Sequence, residues 1–204
     1  MTVHDPRLDG GPAPSRGAGE LVVVDPTGAD LTADDPGPGP DAGSLDGKVV
    51  GIRVDVLWRS WDWVIDEWST RLRELGAEVV LWRRAQGLDR GKGAEHHDAF
   101  ARFLDGIDVA IVGLANCGSC TSWTIKDAVA AADRNTPTVA VATAHFESLA
   151  HSLSELYGRP SLRVHVLPYP LDVLPEADVR EIARTHFDGA LDVLGVQLPA
   201  RARA

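Results

Sequence analysis

From Lys48 onward, short runs of β-branched and apolar residues alternate with stretches in which apolar positions recur every three or four residues. The runs Val49–Val54, Glu78–Trp82, Asp108–Leu114, Thr138–Thr143 and Leu162–Leu167 predict five strands. The stretches Asp62–Leu75, Glu95–Leu104, Thr121–Asp133, Glu147–Tyr157 and Glu176–Leu194 predict five helices, the first two stopped at Gly76 and Gly106. The third strand is apolar almost throughout, as a strand covered on both faces should be. Five strand–helix units with short connections specify an α/β fold: a three-layer, flavodoxin- or Rossmann-like parallel sheet with helices on both faces, in the order 2-1-3-4-5. In such sheets a ligand site lies beyond the carboxyl ends of the strands, near the point where the strand order reverses.

The first 46 residues break this pattern. They hold eight glycines, seven prolines and nine acids against Arg7 and Arg16, so they carry −7 of the chain's formal charge of −10. Such a segment buries too little apolar area to offset its ordering entropy, which predicts a mostly disordered arm over 1–46. One island, Leu21-Val-Val-Val24, reads as a short strand near 20–25. A single α/β domain over 47–198 and a disordered tail over 199–204 complete the expected organisation. The acidic balance argues against nucleic acid as a partner. No apolar run reaches the 18 or so residues a membrane span needs, and Met1–Gly10 carries none of the apolar stretch of a secretory signal, so a cytoplasmic protein is expected. Two cysteines in 204 residues are no disulfide scaffold; they are chemistry or packing.

Both cysteines fall in Asn116-Cys117-Gly118-Ser119-Cys120-Thr121-Ser122, between the third strand and the helix after it. Free N–H groups and the dipole at a helix N-terminus stabilise a thiolate. The C-x-x-C spacing lets Cys120 attack an adduct on the sulfur of Cys117, so attack by Cys117 and resolution by Cys120 form a consistent cycle. Two other readings stand beside it: a pair of small buried residues, or a zinc site in which His145 joins the cysteines with a fourth position open.

The segment Asp108–Leu171 resembles the selenocysteine region of the selenoprotein B subunit of glycine, sarcosine and betaine reductases. It is still more similar to the small proteins named for their U-G-S-C motif, with Cys117 in the selenocysteine position. The likeness continues through Asp127-Ala128, Asn135–Val139, Thr143–Phe146 and Leu167-Pro-Tyr-Pro170. It implies a nucleophile that attacks carbon, displaces a leaving group and is then freed reductively. Trp123 stands where the reductase segment has a further cysteine, and cysteine is the weaker nucleophile and leaving group. A cycle of addition and elimination, of lyase or dehydratase type, would use the same loop without an external reductant.

Other candidates cluster at the same edge. His145, after the fourth strand, could serve as base or acid. Tyr169, after the fifth, could donate a proton or stack on substrate. Asn116, Gly118, Ser119, Thr121 and Ser122 offer backbone N–H groups and hydroxyls for substrate, although a hydroxyl there also caps a helix. Trp58 and Arg59 follow the first strand, and Arg83 and Arg84 the second; an arginine there could clamp a carboxylate. Four of six tryptophans (Trp58, Trp61, Trp63, Trp68) lie within 58–68, which suggests a homo- or hetero-oligomer interface there, with Trp61 and Trp68 sharing a helical face as core. His96-His97 reads as a solvated pair.

These features predict a cysteine-dependent enzyme acting on a small molecule that bears a leaving group, either a reductase or a lyase. An external thiol reductant would serve the first; no other cofactor is implied, with zinc as the lesser alternative. A thiol–disulfide oxidoreductase or peroxidase, or one subunit of a complex with a paralogous partner, are the competing readings.

Overall fold

The computed structural model describes residues 35–84 and 93–198, with backbone alone for 93–96. Five strands, β1 (Val49–Asp55), β2 (Glu78–Arg84), β3 (Val109–Ala115), β4 (Thr138–Thr143) and β5 (Val164–Leu167), alternate with five helices. These are α1 (Arg59–Glu74), α2 (Gly93–Asp105), α3 (Gly118–Ala132), α4 (Glu147–Leu156) and α5 (Glu176–Val193). The sheet is parallel throughout and runs β2-β1-β3-β4-β5, the order the alternation predicts. All seven residues of β3 are buried, as its unbroken apolar character requires. Among the described residues no helix is long and apolar enough to cross a membrane.

Helices α1 and α5 cover one face. There Ile52, Val54 and Ile111 meet Trp61, Trp68, Leu72, Phe187 and Leu191. Trp61 and Trp68 are core, as their shared helical face predicts, in edge-to-face contact at 5.8 Å. Helices α2, α3 and α4 cover the other face, where small residues let α3 approach closely: Ala110, Ala140 and Ala142 oppose Ala128 and Ala132. Gly113 on β3 is required by such closeness, since a Cβ there would drive into the ring of Trp61.

The packed body begins before the expected boundary at 46. Ala42 and Leu45 are buried, Gly43 forms a parallel bridge with Val196, and Gln197 N–H donates to the Gly43 carbonyl at 2.9 Å. Arg163 donates to the Pro40 carbonyl and the Asp41 carboxylate at 2.6 Å each, and Arg159 to the Gly37 carbonyl at 2.7 Å. Composition alone misses this because residues 35–46 are held largely by arginines 120 or so positions away, with only Ala42 and Leu45 adding apolar contacts to the core. The rest of the arm, including the strand expected near 20–25, and the tail over 199–204 lie outside the described residues.

Helix starts are the other difference. α1 and α3 each begin three residues earlier than the periodicity suggests, at Arg59 and Gly118, because polar site residues form their first turns.

His165, on β5, is buried against Trp68 and His186, and its Nε2 has no hydrogen-bond partner. Burial, with a lesser effect of His186, lowers its pKa from 6.5 to about 4. Above pH 6.5 neither folded nor unfolded chain protonates it. Between pH 6.5 and 4 the unfolded chain alone takes the proton, so stability falls with pH across that window, by about 3 kcal/mol in all. Urea unfolding at pH 7 and pH 5 should show about 2 kcal/mol of this loss, and His165→Leu should flatten it; an equal slope in the variant would refute the assignment.

Candidate functional site

The chain leaves β3 at Ala115, and Asn116 and Cys117 form the link into α3. Cys117 is the N-cap of that helix, in extended conformation (φ −155°, ψ 168°). Its sulfur accepts the backbone N–H of Cys120 at 3.1 Å, the bond a serine or aspartate oxygen makes at an ordinary N-cap. Its carbonyl accepts the first helical bond, from Thr121 N–H at 2.9 Å. A charge on this sulfur therefore sits on a backbone donor at the positive end of a 15-residue helix.

Cys117 and Cys120 are joined as a disulfide. The two sulfurs differ in access: Cys120 is only 2 % exposed, while Cys117 is partly exposed and lies 3.4 Å from the hydroxyl of Ser119. Gly118 is exposed, and a Cβ on it would meet nothing within 4 Å, so the loop has free space on that side. Trp58, the N-cap of α1, reaches across from the β1–α1 loop and donates its indole N–H to the sulfur of Cys120 at 3.3 Å. Asp55 holds that loop by accepting the N–H of Leu57 at 3.0 Å.

A hydrogen-bonded chain fixes the residue before Cys117. Thr143, at the end of β4, donates to Asn116 Oδ1 at 2.8 Å; Asn116 Nδ2 donates to Asp172; and Ser60, in the first turn of α1, donates to Asp172 at 2.5 Å. Both ends of the Asn116 amide are thus engaged, which sets its orientation. The chain ties the carboxyl ends of β3, β4 and β5 to the start of α1. Sequence reasoning did not assign Asp172, Ser60 or the Thr143 hydroxyl; their signal is position alone, each next to the carboxyl end of a strand or the helix start beside it.

His145 lies in a short 3₁₀ turn after β4 and stacks on Tyr169 at 4.9 Å, with Phe146 edge-on at 5.0 Å. Its side chain takes part in no hydrogen bond with a cysteine sulfur among the described residues. Tyr169 is 49 % exposed and precedes Pro170 through a cis peptide bond. These three rings form an aromatic edge on the same side of the sheet as the disulfide. Thr121 serves the backbone: its buried hydroxyl donates to the Cys117 carbonyl at 2.6 Å. Ser122 pairs with the Tyr157 hydroxyl at 3.1 Å. Exposed Arg59 lies over the ring of Trp63 at 5.6 Å.

Two arginines considered for a carboxylate clamp have partners within the chain. Arg83 pairs with Asp62 at 2.9 Å. Arg84 is buried, donates to Asp127 at 2.9 Å and lies 3.9 Å over the ring of Trp123. The same Asp127 oxygen accepts from Nε of Arg53 at 2.9 Å, and Arg53, fully buried in β1, also donates to the Gly113 carbonyl at 3.0 Å. Burial pulls the Arg84 guanidinium below its ordinary value, and Asp127 beside it works the other way. This cluster joins β1 and β2 to α3 and braces the helix that carries both cysteines. Zinc does not fit the donors: the two sulfurs bond each other, and among the described residues no three His, Cys, Asp or Glu side chains converge as a metal site.

A family model described as the UGSC family matches residues 22–196. No curated protein matches the chain by sequence. Among solved structures, one from Ralstonia solanacearum named as a D-3-phosphoglycerate dehydrogenase oxidoreductase aligns at 17 % identity with a TM-score of 0.35. That alignment covers 73 % of this chain, and the chain spans 47 % of the length of that structure.

Proposed function

The chain belongs to the UGSC family, and we propose that it is a cysteine-dependent reductase in which Cys117 attacks a small-molecule carbon bearing a leaving group. The observation that carries this reading is the pairing of an N-cap sulfur with a buried partner sulfur already within bonding reach. The Cys117 thiolate forms a carbon–sulfur bond as the carbon–leaving-group bond breaks, and the leaving group departs with the electron pair. The Cys120 thiolate then attacks the sulfur of Cys117. The disulfide forms, the carbon leaves with the carbon–sulfur pair and takes up a proton. Two electrons have passed from the dithiol to the substrate, and an external dithiol returns them by exchange.

The second step requires a carbon that can bear negative charge as it leaves, so the substrate carbon adjoins a carbonyl or carboxyl group. Ser119 and Gly118 are the exposed members of the sulfur loop, and with the rings of His145 and Tyr169 at the same carboxyl edge of the sheet they are the groups offered to such a substrate, with His145 or Tyr169 supplying the proton. Two sulfurs within bonding reach suit this reductive branch; a redox-neutral lyase would expel Cys117 directly and form no disulfide. The pair also supports a second reading, thiol–disulfide exchange with a protein.

Intact-mass spectrometry separates these. Under dithiothreitol, with 2-chloro- and 2-acyloxy-carboxylates and the corresponding ketones, Cys120→Ser should accumulate an adduct on Cys117 that Cys117→Ser lacks. Wild type should turn over to the reduced product. Absence of any such adduct, with efficient exchange against protein disulfides, would sink the reductase reading and support the exchange reading.

A further inference from the structure

The disulfide has one open side. A reductant reaches Cys117, which is partly exposed, and not Cys120, which is 2 % exposed. Its thiolate therefore bonds to the Cys117 sulfur, the disulfide bond breaks, and the bonding pair leaves on the Cys120 sulfur as a thiolate. That charge develops in a buried place, where an unpaired anion is costly. Among the described residues, one polar side chain from outside the cysteine loop meets the sulfur there: Trp58, whose indole nitrogen lies 3.3 Å away. Its position is set from both sides. Asp55 pins the loop through Leu57, and the Trp58 carbonyl accepts the N–H of Trp61 at 3.2 Å as α1 begins.

We infer that Trp58 is a positioning residue for the sulfur chemistry: its indole N–H stabilises the thiolate that forms on Cys120 whenever the Cys117–Cys120 bond opens. The same donor serves the opposite direction, since the Cys120 thiolate held by Trp58 is the group that attacks Cys117 and frees the product. This assignment rests on the proposed reductive cycle for its purpose, but its chemistry needs no substrate. It also gives Trp58 a use other than a subunit interface. An N–H bond to an ionised acceptor is about twice as strong as one to a neutral acceptor. Losing that difference corresponds to about a tenfold change in rate.

The test is the second-order rate constant for reduction of the wild-type and Trp58→Phe disulfides by reduced glutathione, followed by acid quench and thiol alkylation. Reduction of Trp58→Phe should be about tenfold slower, and the equilibrium between the closed disulfide and the mixed disulfide of Cys117 with glutathione should shift toward the closed form. Because Trp58 packs on the core, a second variant removes the donor alone: 3-benzothienylalanine at position 58 keeps the ring shape and replaces N–H by sulfur. It should reproduce the slowing with an unchanged unfolding midpoint. Rates within twofold of wild type in this isosteric variant would overturn the assignment, and slowing in Trp58→Phe alone would reduce Trp58 to a packing residue. Failure of the carbon-adduct experiment would leave this rate difference intact, so the two readings fail separately.

Discussion

Asp127→Ala should lower stability by about 3–5 kcal/mol, the cost of leaving buried charge unpaired. The carboxylate has two guanidiniums on one oxygen, Arg53 and Arg84, each at 2.9 Å, and both are buried. Removing it leaves like charges facing each other below α3, with Asp55, 3.5 Å from Arg53, as the remaining counter-charge. The loss exceeds that expected for a surface pair such as Arg134–Asp105, which should fall below about 1 kcal/mol. Urea unfolding of wild type, Asp127→Ala and Asp105→Ala measures both. A loss under about 1 kcal/mol for Asp127→Ala would show that the cluster is not what braces the helix. Replacing Arg84 and Asp127 together with Met and Leu leaves Arg53 paired with Asp55 and should recover much of the loss, since the penalty lies in the unpaired charge rather than in the missing bond.

The same cluster shows what was legible in the sequence and what was not. Strand order and the two covered faces follow from apolar runs and their spacing, because burial of β3 and the helical stripes is a local pattern. The cysteine loop was equally legible: turn residues and a C-x-x-C at a strand's carboxyl end define a helix N-terminus without knowledge of its neighbours. Arg53 stands as a charge inside an apolar run that reads only as a strand, and nothing local says that its partner is Asp127, 74 residues later. Arg84, read as a substrate clamp, belongs to that partnership instead. Asp172 lies 112 residues from Ser60 and 56 from Asn116, so its role arises only when the fold brings three strand ends together. Trp58 was legible as an exceptional tryptophan, but its target was not; the indole finds Cys120 because β1 and β3 are neighbours in the sheet.

Cys117→Ser should abolish turnover, by at least about 10³-fold in kcat, with the overall fold kept. A serine at the N-cap satisfies the Cys120 N–H at least as well as the sulfur does, so α3 should start at the same place. What it lacks is a group that ionises near neutral pH, since a hydroxyl at a helix N-terminus stays protonated where a thiol does not. Loss of the disulfide alone cannot account for the effect, because Cys120→Ser loses the same bond between the same positions. The two variants should therefore have similar unfolding midpoints and opposite single-turnover behaviour: none for Cys117→Ser, one adduct per chain for Cys120→Ser with multiple turnover blocked. An equal single-turnover adduct yield in the two variants, or full activity in Cys117→Ser, would place the chemistry elsewhere on the sheet edge, with the Asn116–Asp172 chain as the next place to look. Pre-reduction with dithiothreitol is part of the measurement, because in the disulfide form the sulfur of Cys117 is bonded to Cys120 and is not a thiolate that can attack carbon. Wild-type activity should accordingly require reductant in stoichiometric amount to product. A redox-neutral cycle would need it only once, to open the bond, and the ratio of reductant consumed to product formed decides between them.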